Sequence, residues 1–280
     1  MLEFWQHIPS HLDPTLIQLG PLPIRWYGLM YLVALIITYL LANYRITTES
    51  QFRFDKTFLA DLVSHAFIGI LIGGRLGYVL FYNFGYFYHH PEQIILPFTW
   101  DHGIRFTGIS GMSFHGGLAG ALSASYMLCR KRKVDFLEVA DLICPIFPIG
   151  YTFGRLGNFI NGELFGRTTS SPIGMFFPLS PTPGLRYPSQ LFEAVFEGFF
   201  LFLIFWNLRK VHFPKGFFLA AYLIGYGSVR FFIEFYRQPD EQLGFVYQSL
   251  SMGQVLCMAM ISIGILLLFY LYSLPRRETL

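Results

Sequence analysis

The chain has 280 residues, of which 54% are hydrophobic and 19% aromatic against 13% charged, with a formal net charge of +3. That leaves too little polar surface to cover a water-soluble globule of this length, so an ordinary soluble fold is excluded. Cys129, Cys144 and Cys257 lie in or beside apolar runs without CxxC spacing, which argues against a disulfide framework or a zinc site.

Residues 1–21 hold Glu3, Asp13 and three prolines rather than a basic start and an apolar run. No cleavable secretion signal is therefore read there, and the first span is expected to direct insertion itself. Apolar runs follow at 22–42, 57–81, 112–129, 136–156, 188–208, 216–236 and 252–273. Each approaches the ~20 residues that cross a ~30 Å hydrocarbon core as a helix. The expected fold is an all-α integral membrane protein of about seven transmembrane helices, one polytopic domain over 1–280 with polar outward-facing loops. Asp61, His65 and Arg75 interrupt the second run, and Glu138, Asp141 and Arg155 the fourth.

Basic residues orient this arrangement. All five lysines (Lys56, Lys131, Lys133, Lys210, Lys215) and seven arginines (Arg45, Arg53, Arg130, Arg132, Arg209, Arg276, Arg277) fall in the first, third and fifth loops or the C-terminal tail. With seven spans these segments share one side, which the positive-inside rule makes cytoplasmic, with the N-terminus outside and the C-terminus inside. The remaining basic residues, Arg25, Arg75, Arg105, Arg155, Arg167, Arg186, Arg230 and Arg237, are all arginine and lie in spans, at their outer ends or in outward loops. A guanidinium is a planar fork of donors suited to phosphate or carboxylate. The bias suits an anion handled near the outer leaflet, or, more simply, neutralisation of acidic groups nearby.

Taken in chain order, Tyr27 beside Trp26 reads most cheaply as part of an interfacial aromatic belt. Glycines at 69, 73 and 77, at 116 and 120, and at 150 and 154 recur every four residues, a stripe along which helices approach closely. His65 reads as structural. Ser113 is placed to cap a helix with His115 in its first turn, where a histidine serves either as a proton acceptor or as an interfacial group bonded to a carbonyl. The run from Gly154 to Arg167 packs four glycines among two arginines, two asparagines and Glu163, which no lipid-facing helix would carry. Its glycines permit turns aiming backbone N–H groups inward, and Arg155 and Asn158 share a face if the helix persists, together a candidate phosphate cradle. Tyr226, Arg230 and Glu234 fall four apart on one face, either a structural ion pair or a functional group.

These stretches resemble one family closely, the bacterial prolipoprotein diacylglyceryl transferases. The resemblance rests on Arg25-Trp26-Tyr27-Gly28-Leu29-Met30-Tyr31, Gly73-Gly74-Arg75-Leu76-Gly77-Tyr78, His115-Gly116-Gly117, the run from Gly154 to Arg167, Pro188-Ser189-Gln190, and Tyr226 through Arg230 and Glu234 to Arg237-Gln238-Pro239-Asp240. It implies a bacterial inner-membrane enzyme that moves the diacylglyceryl group of phosphatidylglycerol to the lipobox cysteine thiol of a prolipoprotein signal peptide, forming a thioether and releasing glycerol phosphate. It implies no cofactor or metal, and no partners beyond these substrates and membrane lipids; no nucleic acid is expected. On matching positions the phosphate-handling arginines look like Arg155 and Arg230, the proposed base like His115, and other site-lining residues like Tyr27, Asn158, Glu163, Tyr226 and Glu234. The chain departs from the family in a longer stretch from Asp101 to Gly111 and a shorter one over 168–187.

Two rivals belong to other classes. Intramembrane arginines facing glycine-broken helices also suit a transporter of an anionic solute, although no internal repeat is visible. Gly108-Ile109-Ser110-Gly111 prompts an intramembrane serine protease, but the pattern is short enough to arise often by chance, and Ser110 has no evident histidine partner in the sequence.

Overall fold

The computed structural model describes residues 2–20, 22–94, 98–99, 105–106, 111–238, 245–247 and 250–273. Ser110, Pro239, Asp240, Arg276 and Arg277, with most of the 101–111 stretch, lie outside them. The chain forms two compact units, one of Met1–Thr48 with Ala140–Leu280 and one of Glu49–Val139.

The smaller unit is built on α3 (Lys56–Phe81) and α5 (Phe114–Arg132), joined by α4 (Phe84–His89), a 3₁₀ turn (Pro91–Ile94) and a short antiparallel pair, β3 (Phe98–Thr99) with β4 (Arg105–Phe106). Asp55 caps α3 by accepting from the Phe58 N–H at 2.6 Å, and Ser113 caps α5 by accepting from the Gly116 N–H at 3.2 Å. The glycine stripes of the two helices meet as their spacing predicts. A Cβ built on Gly77 would lie 2.8 Å from the Gly116 Cα, and one on Gly120 would collide with the Gly69 carbonyl. Gly120→Val should therefore destabilise this unit by roughly 1–3 kcal/mol, seen as a lower melting temperature in detergent, whereas Leu118→Val on the exposed side should change it little. Arg75 is engaged within its own unit. It donates to the carbonyls of Ile94 (2.8 Å), Gln93 (2.6 Å) and Gly111 (3.3 Å) and lies 4.8 Å over the Phe87 ring, bracing the segment after α4.

In the larger unit α1 (Leu2–His11) precedes a hairpin of β1 (Thr15–Leu19) and β2 (Leu22–Arg25), paired Ile17 to Ile24 and Leu19 to Leu22, which leads into α2 (Trp26–Thr48). The expected fourth span is broken: α6 (Phe136–Ile143) and α7 (Phe147–Ile160) meet at a 52° bend. A break between two buried helix ends frees carbonyls that must find donors. Arg45, in the last turn of α2 and wholly buried, supplies them, its Nη1 donating to the carbonyls of Asp141 (2.8 Å) and Leu142 (2.7 Å). The Asp141 carboxylate in turn accepts from the N–H groups of Gly216 (2.6 Å) and Phe218 (2.9 Å), capping α9 (Phe217–Ile233). By chain position Arg45 is a loop charge and Asp141 an interruption of a span; in the fold both satisfy helix ends.

A long segment after α7 is held by isolated bridges, Gly166 to Arg237 and Thr168 and Met175 to Arg186, and by a core of Phe159, Met175 and Phe177 against Ile8, Leu12, Phe165 and Leu191. Then come α8 (Ser189–Leu208), π-helical over Glu193–Phe200, α9, an antiparallel pair β5 (Phe245–Tyr247) with β6 (Leu250–Ser251), and α10 (Met252–Ser273).

The protein is mostly helical, with the short hairpins as its departure from an all-α expectation. Among the described residues four helices are long and apolar enough to cross a membrane, α2, α3, α8 and α10, and α6 with α7 makes a fifth if the bent pair is one span. Large apolar side chains on them face outward, among them Phe67, Ile68, Ile72, Leu266 and Phe269, as hydrocarbon contact requires.

Candidate active site

Within the larger unit, four elements converge on one buried ionic cluster. Helix α8 reads from sequence as an uninterrupted apolar span, yet it carries Glu193 and Glu197 at a spacing of four, both wholly buried, in its π-helical turn. The wider i→i+5 turn is a rare local geometry that often marks functional sites. Opposite Gly198 in this turn stands Thr152 of α7, close enough that a Cβ on Gly198 would lie 3.0 Å from the Thr152 Cα. The two helices thereby approach at the level of the carboxylates.

Glu193 is the hub. Its Oε2 pairs with Nε of Arg155 on α7 at 2.7 Å, and its Oε1 with Nη1 of Arg230 on α9 at 3.1 Å and Nη1 of Arg237 just beyond α9 at 3.1 Å. Arg230 also reaches Glu197 Oε1 at 3.5 Å and, through Nη2, Glu234 Oε2 at 2.8 Å. Tyr151 donates to Glu197 at 2.5 Å and its ring lies under the Arg155 guanidinium at 4.7 Å. Three guanidiniums thus face three carboxylates in an apolar bundle, where an unpaired charge would be prohibitively costly. Even so, Arg230 Nη1 completes no hydrogen bond among the described residues, although two carboxylates stand within ion-pair distance.

A polar chain runs on from Arg155. Its Nη1 donates to Asn158 Oδ1 at 3.4 Å, and Asn158 Nδ2 to Glu163 Oε1 at 2.8 Å. The Glu163 backbone carbonyl accepts from Gln190 at 2.6 Å, fixing the turn to the start of α8. Tyr27, the first helical tyrosine of α2, adjoins Asn158 and Glu163 with its phenol and donates to Tyr31 at 3.0 Å. Tyr226 lies edge-on to Tyr151 at 5.8 Å and stacks on Tyr222 at 5.5 Å. Glu234 is anchored from behind by the Ser251 hydroxyl at 3.0 Å.

The 154–167 run is a cradle of side chains rather than of backbone N–H groups. Helix α7 persists to Ile160, and beyond it the N–H groups of Asn161, Gly162 and Glu163 turn back onto carbonyls of α7, while those of Gly166 and Arg167 donate to Tyr187 and Tyr236. Gly157 makes room for Tyr27 and Met30 of α2, with a Cβ there 3.2 Å from the Tyr27 ring. Gly162 is required for its φ of +68°, and Gly166 because a Cβ would strike the Tyr236 carbonyl and lie 2.8 Å from the Tyr187 Cβ. Arg167 and Arg186 serve this framework, Arg167 holding the carbonyls of Arg237 (2.8 Å) and Glu234 (3.3 Å), and Arg186 that of Gly166 (3.1 Å).

Of the residues expected at a site, Tyr27, Asn158, Glu163, Arg155, Tyr226, Arg230 and Glu234 all belong to the larger unit and form this continuous network. His115 belongs to the smaller unit, where it is exposed in the first turn of α5 with its ring edge-on to Phe114 at 5.7 Å. Sequence reasoning missed Glu193, Glu197 and Tyr151, and met Arg237 only among the outward arginines and within a motif. The signal for the glutamates was present: a run of apolar residues with two carboxylates four apart is as anomalous as one with an arginine, and intramembrane arginines need such partners. Among the described residues no group of three or more His, Cys, Asp or Glu side chains is arranged to hold a metal ion.

The family model described as prolipoprotein diacylglyceryl transferase matches residues 14–270. A phosphatidylglycerol–prolipoprotein diacylglyceryl transferase of Chlorobaculum tepidum is 54% identical over 282 aligned positions, covering 99% of this chain and 96% of the relative. Proteins of the same name from Francisella tularensis subsp. mediasiatica and subsp. novicida are 41% and 40% identical, each alignment covering 96% of both chains. With identity of that extent over nearly its whole length, the chain belongs to the prolipoprotein diacylglyceryl transferase family.

Proposed function

We infer that this chain is a membrane transferase that moves the diacylglyceryl group of phosphatidylglycerol onto the cysteine thiol of a prolipoprotein. The observation that carries this reading is the pair of guanidiniums of Arg155 and Arg230 held on one buried carboxylate, with Arg230 Nη1 still completing no hydrogen bond among the described residues, in a chain of this family. The thiol sulfur attacks the primary glycerol carbon of the lipid, the S–C bond forms, the C–O bond to phosphorus breaks, and the electron pair leaves on the phosphate oxygen as glycerol phosphate. Arg155 and Arg230 bind the phosphodiester and stabilise the charge gathering on the departing phosphate, the kind of electrostatic contribution that often dominates catalysis. Tyr27, Asn158, Glu163, Tyr226 and Glu234 line the substrate site and hold the arginines and the lipid head in register. The acceptor is a signal peptide carrying a lipobox cysteine, and membrane lipids surround the helices.

The same reading completes the architecture. Helices α5 and α9, of 19 and 17 residues, join the longer helices and the bent pair as spans, giving seven in one polytopic domain with the N-terminus outside and the C-terminus cytoplasmic in the bacterial inner membrane. The three basic residues Arg130, Lys131 and Arg132 end α5 on the cytoplasmic side.

His115 is the candidate acceptor of the thiol proton, since a free thiol near pKa ~8.5 is mostly protonated at neutral pH. His115→Gln should abolish transfer at pH 7 and recover partly above pH ~8.5, where the thiol ionises unaided. Unchanged activity at pH 7 would return His115 to a structural role.

Family membership favours transfer over the transporter alternative. The reading is tested with phosphatidylglycerol labelled in its head-group glycerol: soluble glycerol phosphate should be released only with a cysteine peptide present, and not with its serine counterpart. Release that ignores the peptide, or accumulation of an anionic solute in vesicles without release, would overturn it.

A further inference from the structure

We propose that Glu193 is the positioning residue of the phosphate site, setting the aim of Arg155 and Arg230 rather than merely balancing their charge. The inference rests on the functional reading above and adds to it a residue outside the motifs that the sequence singled out. One carboxylate holds arginines from two helices and the segment after α9, and it divides its oxygens between them: Oε2 takes Nε of Arg155 at 2.7 Å, while Oε1 takes Nη1 of both Arg230 and Arg237 at 3.1 Å each.

The consequence is directional. An arginine anchored through Nε turns Nη1, on the far side of the guanidinium, away from the anchor, and Nη1 of Arg155 is accordingly the atom that meets Asn158. Arg230 has a carboxylate within ion-pair distance at each end, Glu193 at Nη1 and Glu234 at Nη2, while neither Nη1 nor Glu234 Oε2 completes a hydrogen bond among the described residues. Glu193 itself has no exposed surface, and the π-helical turn that carries it is packed against Thr152 through Gly198, so the anchor does not drift. Glu197 differs in kind: its nearest arginine nitrogen is at 3.5 Å and its firm bond is to the Tyr151 hydroxyl.

Charge and aim are separated by two substitutions. Glu193→Gln keeps the shape but turns an amide N–H₂ towards one of the guanidiniums, which must swing away. Glu193→Asp keeps the charge in the same pocket but shortens the reach by one methylene, so it cannot span both arginines. Initial rates of peptide lipidation are measured against phosphatidylglycerol concentration for the unaltered protein and both variants, with melting temperatures alongside. A positioning role predicts that both variants lose turnover by ~10²-fold, the scale of a misplaced transition-state donor, with KM for the lipid changed by less than about threefold and the Asp variant still folded. Asp turnover within about threefold of the unaltered protein would mean that charge alone matters and would overturn the proposal. So would a raised KM with unchanged kcat, and so would an Asp variant that does not fold, which makes Glu193 a residue of the scaffold. No adduct from the unaltered protein is a separate outcome, which removes the functional reading itself and the proposal with it.

Discussion

Arg155→Lys should lower the rate of diacylglyceryl transfer by at least ~10²-fold while the protein stays folded and membrane-inserted. The reason is geometric. Arg155 uses Nε on Glu193 at 2.7 Å, Nη1 on Asn158 at 3.4 Å and the face of its guanidinium on the Tyr151 ring at 4.7 Å. A lysine ammonium keeps the charge, so the cluster does not lose its balance, but as a point charge it cannot hold Glu193 and Asn158 while presenting a second nitrogen to a phosphate oxygen. Initial rates with saturating lipid and peptide measure this, and near-native turnover of Arg155→Lys would remove the arginine from the transition state.

Arg230→Gln should be the more damaging change, because it abolishes transfer and loosens the fold together. Arg230 faces Glu193 at 3.1 Å, Glu197 at 3.5 Å and Glu234 at 2.8 Å, with Glu193 and Glu197 wholly buried. Taking away one partner of a buried ion pair costs about 3–5 kcal/mol, since the carboxylates left behind are uncompensated. Removing a preorganised donor from a developing phosphate charge costs at least ~10²-fold in rate on its own. Arg230→Lys separates the two losses: it should restore much of the melting temperature and little of the activity. A Gln variant that melts with the unaltered protein would mean that the carboxylates take protons or water instead of relying on Arg230.

The elements most legible in the sequence are those set by local physics. A long apolar run forms α3, Ser113 caps α5 as its position predicts, and spacings of three within α7 and four along α9 bring Arg155 to Asn158 and Arg230 to Glu234. What stays hidden depends on partners distant in the chain. Glu193 and Glu197 sit in a stretch whose average is apolar, and the role of Glu193 is set by arginines 38 and 37 positions away at Arg155 and Arg230, with no periodicity to announce it. At the break between α6 and α7 two freed carbonyls are satisfied by Arg45, some hundred residues earlier. The glycines of 154–167 look like one device in the sequence and serve three in the fold: room for α2 at Gly157, a left-handed turn at Gly162 and a close backbone crossing at Gly166. Composition alone does not distinguish these uses, because glycine answers each of them by lacking a Cβ.

That the arginine network acts on a phosphodiester while a thiol replaces it on carbon is tested most directly by a single reaction. The purified protein is incubated with phosphatidylglycerol and a lipobox-cysteine peptide, and the peptide is weighed by mass spectrometry beside an Arg155→Ala sample. The expected result is a peptide heavier by one diacylglyceryl group in thioether linkage, with glycerol phosphate released in equal amount, and neither product from the variant. An unmodified peptide from folded, lipid-supplied protein, or an adduct that forms equally well without Arg155, would contradict it.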